Sequence, residues 1–196
     1  MDAPPRTDGR ATDMRRRILE VARRRFAADG VAATSLRDIA EELGVTKAAL
    51  YYHFPRKADL LHETLVPMAD AVSAWLERAE GSDAPVRGLL EDYFDVVRQH
   101  HRLIQALGRE PGALQGSPIA DRLVGWIERA QRILAGTDAD LEARVRATVA
   151  IGGLARAASF VAADDTDALR AIAVDAALDA LQPPQDPSAP ASTGRA

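Results

Sequence analysis

The chain has no cysteine among its 196 residues, which excludes disulfides, thiolate nucleophiles and cysteine metal ligands. This composition is consistent with a reducing compartment. The longest apolar run, residues 149–163, is interrupted by Arg156 and is shorter than the roughly 20 residues of a membrane-spanning helix. No apolar segment follows the charged N-terminus, so we expect a cytoplasmic protein without a signal peptide or membrane anchor.

Motifs of catalysis are also missing. The sequence has no glycine-rich phosphate loop, no nucleophile elbow and no paired-histidine metal motif. His100 and His101 are neighbours, and neighbours on a helix point about 100° apart, so they cannot easily share an ion. We therefore expect no catalytic residue, no metal and no other cofactor, and an enzyme on an all-helical fold is the disfavoured alternative.

Lysine is almost absent, and the basic charge is unevenly placed. Residues 1–59 hold twelve Lys and Arg against nine Asp and Glu, a balance of +3, and the remainder holds thirteen against twenty, which gives the net charge of -4. The two lysines, Lys47 and Lys57, both lie in the basic part. This asymmetry is typical of a nucleic-acid-binding head joined to an acidic remainder.

Residues 35–57 predict a helix-turn-helix. Thr34 or Ser35 can cap a first short helix, whose apolar face recurs at helical spacing (Leu36, Ile39, Ala40 and Leu43). Gly44 lies where that helix must end, and Thr46 can cap a second short helix that Pro55 terminates. Two helices this short and this tightly joined are typical of a unit that offers its second helix to the DNA major groove.

The remaining sequence predicts helices throughout, and the fold class is all-α. We expect a disordered arm over 1–11, a first helix from Thr12 or Asp13 to Gly30 and a fourth from about 56 to 80 with a kink at Pro67. One helix should follow Pro85 and carry residues through Leu107, and 111–118 should be a loop or broken helix. The last helices should run from Ser117 to Gly136, from a Thr137 cap to about 163, and from Asp165 or Thr166 to about 181, before a disordered tail over 182–196.

The N-terminal segment closely resembles the TetR family of transcriptional regulators. The resemblance rests on the runs LRDIA (36–40), LGV (43–45) and LYYHF (50–54), followed by Lys57, Leu60 and Leu61, and it extends upstream through residues 17–30. It implies a three-helix DNA-binding domain over 12–58, with the matching pattern reaching about residue 71. It also implies a C-terminal helical domain over 59–181 for effector binding and dimerisation.

The resemblance also assigns DNA contacts. Lys47 should reach a guanine edge or a phosphate, Ala48 and Ala49 should face the groove floor, and Tyr51, Tyr52 and His53 should contact phosphate, sugar and some bases. The expected backbone clamps are Thr34, Ser35, Arg37 and Lys57, and Thr46 is a further expected DNA-binding residue. A core position for Tyr51 is the open alternative. The two arginine runs of the first helix, 15–17 and 23–25, have two interpretations: phosphate contacts, or a solvated face paired with Glu20 or Asp29.

The last two helices are the expected homodimer surface. They are rich in small and apolar residues (Leu141, Val145, Val149, Gly152, Gly153, Ala155, Ala157, Ala158, Ala168, Ile172, Ala173, Ala176 and Ala180). Close packing within one chain is the alternative. One recognition helix reads only a few base pairs, so a palindromic double-stranded operator read by two copies supplies the missing specificity.

The family resemblance implies a cavity for a small-molecule effector in the C-terminal helices. Its candidate lining residues are Met68, Trp75, Phe94, His101, Leu107, Trp126, Arg156 and Phe160, each of which is also ordinary core material. A buried Arg156 would need a carboxylate from a ligand or from Asp92 or Asp95. The sequence thus predicts a transcriptional regulator, a repressor released by an effector. A DNA-binding regulator or architectural protein without an effector is the alternative.

Overall fold

The computed structural model describes residues 8–183, apart from the side chains of residues 8–10 and 111. Within this range the chain forms helices and no strand, which confirms the all-α class. The helices are α1 (Asp8–Asp29), α2 (Leu36–Leu43), α3 (Lys47–His53), α4 (Lys57–Ala79), α5 (Val86–Gln99), α6 (His101–Arg109), α7 (Pro118–Ala135), α8 (Leu141–Phe160) and α9 (Thr166–Leu181). A short 3-10 turn, Pro111–Leu114, joins α6 to α7.

The first helix begins earlier than predicted. The expected disordered arm over 1–11 is wrong for residues 8–11, which form the first turn of α1. The sequence interpretation gave more weight to Pro4, Pro5 and Gly9, which are typical of loops, than to the helical pattern that follows them. Residues 1–7 of the arm and 184–196 of the predicted tail lie outside the described residues.

The short helices α2 and α3 are fixed by their caps, as predicted. The Ser35 side chain accepts the Asp38 N–H while the Asp38 carboxylate accepts the Ser35 N–H, a reciprocal capping box. These hydrogen bonds hold the pKa of Asp38 below its ordinary value. Gly44 ends α2 in the left-handed region at φ 66°, and the Thr46 hydroxyl accepts the Ala49 N–H at 3.2 Å to start α3. Local sequence therefore sets the angle between the two helices.

The hydrophobic core of this N-terminal unit continues into the rest of the chain through α4. α1 packs against α2, α4 and α6, and α4 also packs against α5 and α7. Leu60, Leu61 and Leu65 of α4 belong to the same buried cluster as Ile18 and Phe26 of α1. The proposed domain boundary at 58/59 falls in the first turn of α4, so the two proposed domains share one continuous helix.

The predicted single helix after Pro85 is wrong. It breaks at His100, whose backbone (φ -109°, ψ 8°) leaves the helical region, and α6 then takes its own direction. Neither glycine nor proline marks the break. The break lets α6 pack against both α1 and α8, so its cause is tertiary packing.

The helix after α7 also begins later than predicted. Asp140, rather than Thr137, caps α8, because its carboxylate accepts the Ala143 N–H at 2.8 Å, and α8 ends at Phe160 rather than near residue 163. The predicted Ser117 cap of α7, its stop at Gly136 and the Asp165 cap of α9 are confirmed.

A second buried cluster lies among α5, α8 and α9. It takes up Ala158 and Ala173, two of the small residues expected at a dimer surface, and leaves exposed residues on the outer sides of both helices. No helix in the described part of the chain is long and apolar enough to cross a membrane.

Candidate nucleic-acid interface and ligand cavity

The second helix of the helix-turn-helix, α3, presents one side to solvent. Leu50 is fully buried and anchors α3 to the core. Lys47, Ala48 and Ala49 are exposed, and Tyr52 is 82% exposed. An exposed side of a helix that carries apolar and aromatic residues is typical of a binding surface, and the DNA major groove admits an α-helix.

Tyr51 and His53 occupy the edges of this surface. Tyr51 is 39% exposed, which argues against a core position, and the Lys47 ammonium lies 5.4 Å from the centre of its ring. His53 is half-buried and meets the Tyr52 ring edge-on at 5.3 Å. Lys47, Tyr51, Tyr52 and His53 therefore form one contiguous cluster along α3.

Three other expected DNA-binding residues, Ser35, Arg37 and Thr46, are also exposed. Ser35 and Thr46 are exposed while their side-chain oxygens cap the helices. Arg37 pairs with Glu41 at 2.7 Å, and both side chains are largely exposed. Such an exposed pair is worth little and is easily exchanged for a phosphate contact.

Thr34 and Lys57, also expected to clamp the DNA backbone, both make hydrogen bonds within the chain. Thr34 is 1% exposed, and its hydroxyl donates to the Gly30 carbonyl at 2.8 Å. The Lys57 ammonium donates to the carbonyls of Val31 (2.7 Å), Ala32 (3.3 Å) and Thr34 (3.0 Å). Lys57 thereby ties the turn between α1 and α2 to the start of α4, and its contact with DNA stays a prediction.

Replacing Lys57 by methionine should lower the free energy of unfolding. Met keeps the apolar stem but leaves three carbonyls without their charged donor, a loss of about 1–2 kcal/mol. Chemical denaturation measures this change, with Lys47→Met as the matched control because Lys47 is exposed. If the Lys57→Met variant kept its stability, and the slope of log affinity for DNA against log salt concentration became smaller by about one, Lys57 would instead be a phosphate contact.

The arginine runs of α1 mostly face carboxylates of this chain. Arg16 pairs with Asp13 and Glu20, and Arg25 pairs with Asp29 and Glu42. This is the solvated-face interpretation, confirmed for these two arginines. Arg15, the first residue of the run 15–17, lies over the Phe54 ring at 4.4 Å and donates to the His53 carbonyl at 3.2 Å, so it holds the end of α3 in place.

A cavity of about 460 Å³ lies among α4, α5, α6, α7 and α8. Six of the eight predicted lining residues are on its wall (Met68, Trp75, Leu107, Trp126, Arg156 and Phe160). Trp75 is anchored by its indole N–H, which donates to the Leu89 carbonyl at 3.0 Å. A largely apolar cavity of this size suits a small-molecule ligand.

Two predicted lining residues lie elsewhere. Phe94 is fully buried in the second cluster, among α5, α8 and α9, because it falls on the side of α5 that faces α9. His101 lines a separate groove between α1 and α6, and its Nδ1 lies 2.6 Å from the Arg98 carbonyl.

Two polar residues of the cavity wall were missed by the sequence interpretation. Tyr93 packs its ring on Trp75 at 4.7 Å, and burial raises its pKa to about 12, so its hydroxyl stays neutral. Ser159 is fully buried and lines the cavity. The i, i+3 spacing from Arg156 was a signal for Ser159, whereas Tyr93 could not be told from core.

Arg156 is not buried, contrary to the premise of its prediction. Its side chain is exposed, and the guanidinium lies 4.3 Å from the centre of the Phe160 ring. Neither Asp92 nor Asp95 pairs with it; Asp95 pairs with Arg170 at 3.0 Å. Arg156 thus stands at the rim of the cavity.

A single carboxylate connects the wall of the cavity to the helix-turn-helix. Glu110 follows α6 directly and accepts the Ala32 N–H at 2.6 Å. The same carboxylate lies so near Gly30 that a Cβ there would meet it at 2.5 Å. Leu107, Gly108 and Leu114, on either side of Glu110 along the chain, line the cavity. The wall of the cavity and the turn before α2 are therefore in direct contact.

Comparison with known proteins finds similarity to one family in the N-terminal part of the chain. A family model described as "Bacterial regulatory proteins, tetR family" matches residues 18–64. The transcriptional regulator TtgR of Pseudomonas putida is 48% identical over 66 residues, 30% of this chain and 31% of TtgR. The transcriptional repressor KstR2 of Mycobacterium tuberculosis is 30% identical over 117 residues, 58% of each chain. The chain therefore aligns with between a third and three fifths of the length of these relatives.

Solved structures resemble the fold over most of its length. A transcriptional regulator from Aquifex aeolicus has a TM-score of 0.67 at 18% identity, covering 83% of this chain and 96% of its own. The M. tuberculosis KstR2 structure has a TM-score of 0.64 at 20% identity, covering 90% and 95%. At these low sequence identities, the structural matches show a shared fold, whereas the sequence similarity to known regulators lies in the N-terminal part of the chain. Residues 18–64 are thus similar to the tetR family of bacterial regulatory proteins, and the whole chain has the fold of these solved structures.

Proposed function

We propose that this protein is a cytoplasmic transcriptional repressor that binds a palindromic DNA operator as a homodimer and is released by a small molecule. The exposed side of α3 is the observation that carries the proposal. Lys47, Ala48, Ala49 and Tyr52 are exposed on α3, whereas Leu50 of the same helix is buried in the core. The names of the similar proteins, a regulator and a repressor, support the same function.

Selection of random DNA by the purified chain, followed by sequencing, tests the proposal. We expect an enriched palindrome with half-sites about one helical turn apart. Lys47→Ala should alter the base preference within each half-site if this lysine reads a guanine edge. Recovery of no sequence preference would refute operator binding.

Dimerisation is supported by an exposed apolar surface, the α8–α9 face. It comprises Leu141, Val145, Val149, Gly152 and Gly153 of α8 with Ala168, Ile172 and Ala176 of α9, all exposed. Leu141 is 74% and Ile172 is 69% exposed. Apolar side chains spaced every four residues along α8, next to glycines that permit close approach, suit a self-complementary two-fold interface.

Release by an effector is supported by the contacts between the cavity and the head. A ligand in contact with Leu107 and Gly108 would displace the C-terminal end of α6. Glu110, which accepts the Ala32 N–H, directly follows that end. α6 also packs along α1. A displaced α6 would therefore shift the turn that leads into α2, and with it the angle of α3. A regulator without an effector remains the second candidate, and operator release by a cavity-binding compound distinguishes the two.

Glu110→Ala should loosen the turn between α1 and α2. The Ala32 amide would lose a charged acceptor, a bond of about 1.5–3 kcal/mol, so its hydrogen exchange should accelerate roughly tenfold to a hundredfold. Exchange measured amide by amide checks this, with the exposed Glu128→Ala as control. Unchanged exchange at Ala32 would show that Glu110 does not hold the turn.

A further inference from the structure

The cavity has an apolar body and one polar end. Its walls are aliphatic and aromatic side chains from α4, α5, α6 and α7, and neither Asp nor Glu is among the lining residues. The polar end is the last turn of α8, where Arg156 and Ser159 lie at i and i+3 and so share one side of the helix. A ligand in this cavity meets positive charge at that end and apolar surface elsewhere.

Ser159 is a buried hydroxyl without a partner. Its Oγ is inaccessible to solvent and makes no hydrogen bond within the described residues. Its carbonyl, by contrast, accepts from the Gln105 side chain. Buried hydroxyls in native proteins are almost always satisfied, and this one lines a cavity. A ligand oxygen in the cavity would supply the missing partner.

Arg156 is held in place but not neutralised. Phe160, under its guanidinium, packs so closely on α6 that a Cβ at Gly108 would lie 3.0 Å from the ring. No carboxylate of the described residues forms an ion pair with Arg156, in contrast to Arg146 and Arg170 on the last two helices. An uncompensated, positioned guanidinium is a preferred binding group for a carboxylate.

The last turn of α8 is also held by hydrogen bonds from α5 and α6. Arg98 donates to the Ala158 carbonyl at 3.1 Å, and Gln105 donates to the next carbonyl, that of Ser159. These bonds from α5 and α6 occupy carbonyls that the end of a helix leaves free. The Arg156–Ser159 pair therefore rests on a rigid support.

Building on the proposed function, we infer that the effector is an apolar monocarboxylic acid, bound with its carboxylate between Arg156 and Ser159. The hydrocarbon part lies against Trp75 and Trp126. The neutral Tyr93 hydroxyl adds no charge that would oppose an anion. An amine of the same shape would meet Arg156 with like charge, and an alcohol would satisfy Ser159 alone.

The test compares decanoate, decanol and decylamine, which share a chain and differ in charge. Trp75 and Trp126 are the two tryptophans of the chain, and both line the cavity, so intrinsic fluorescence reports binding directly. We expect decanoate to bind about tenfold or more tightly than decanol, and decylamine more weakly than either. Equal affinities, or no binding of decanoate, would overturn the inference.

Variants locate the carboxylate. Arg156→Gln should bring decanoate down to the affinity of decanol and leave decanol unchanged. Ser159→Ala should weaken decanoate severalfold, while Arg144→Gln, an exposed arginine on the same helix, should change nothing. An anion preference that survives Arg156→Gln would refute the site. Ligand binding is measured without DNA. Failure to bind decanoate would therefore not contradict operator binding, and failure to find an operator would not contradict the carboxylate site.

Discussion

Val149→Asp is expected to separate the proposed dimer into single chains. Val149 is 58% exposed in one chain and lies in the middle of the α8–α9 face, between Val145 and the two glycines. In a two-fold interface the new carboxylate occurs twice and is buried among apolar groups both times. An unpaired buried charge costs several kcal/mol, so the dissociation constant should rise by roughly a hundredfold to a thousandfold.

Sedimentation equilibrium at micromolar concentration measures this change against the 21.1 kDa mass of one chain. Val124→Asp on α7 is the matched control, because Val124 is 61% exposed and lies outside the α8–α9 face. Its dimer should persist. A monomeric control together with a dimeric Val149→Asp would move the interface from α8 and α9 to α7.

Operator affinity should fall with the dimer. Two linked heads bind DNA with the sum of their binding energies and pay the cost of association once. A single head reads one half-site and loses that advantage. The Val149→Asp chain should therefore retain its fold and bind DNA with little preference for the palindrome, which separates a dimer defect from unfolding.

The helix-turn-helix was predictable because its determinants are local. Ser35, Gly44 and Thr46 each act on backbone groups within four residues, and the structure places all three as expected. The intrachain role of Lys57 was not predicted, because its partners are set by tertiary packing. The carbonyls that bind Lys57 lie 23 to 26 residues earlier in the chain, and no short pattern encodes that distance.

The C-terminal helices were predictable as helices but not as a cavity. Phe94 and Trp75 have the same periodicity in the sequence, yet one fills a core and the other walls a cavity. The difference depends on which helix each faces, and the break at His100 that turns α6 away carries no sequence signal. Only one of the two residues at the polar end of the cavity was predicted from the sequence. Arg156 was noticed as a single charge among alanines, whereas Ser159 was not.

Ala49→Glu should abolish operator binding without harming the fold. Ala49 is exposed near the centre of α3, and only its backbone N–H is engaged, by Thr46. Glutamate is a good helix former, so the free energy of unfolding should change by less than about 0.5 kcal/mol. Against DNA, the carboxylate would be pressed into a groove lined by phosphates and would find no counter-charge there.

Both half-sites would bear this cost, so the affinity for the selected operator should fall at least about a hundredfold. Fluorescence anisotropy at fixed salt measures it, since the affinity of DNA binders depends steeply on ionic strength. Ala84→Glu, in the exposed loop between α4 and α5, makes the same change in net charge and should reduce affinity only slightly. If both variants lost affinity equally, overall charge would explain the effect. If neither did, α3 would not enter the groove.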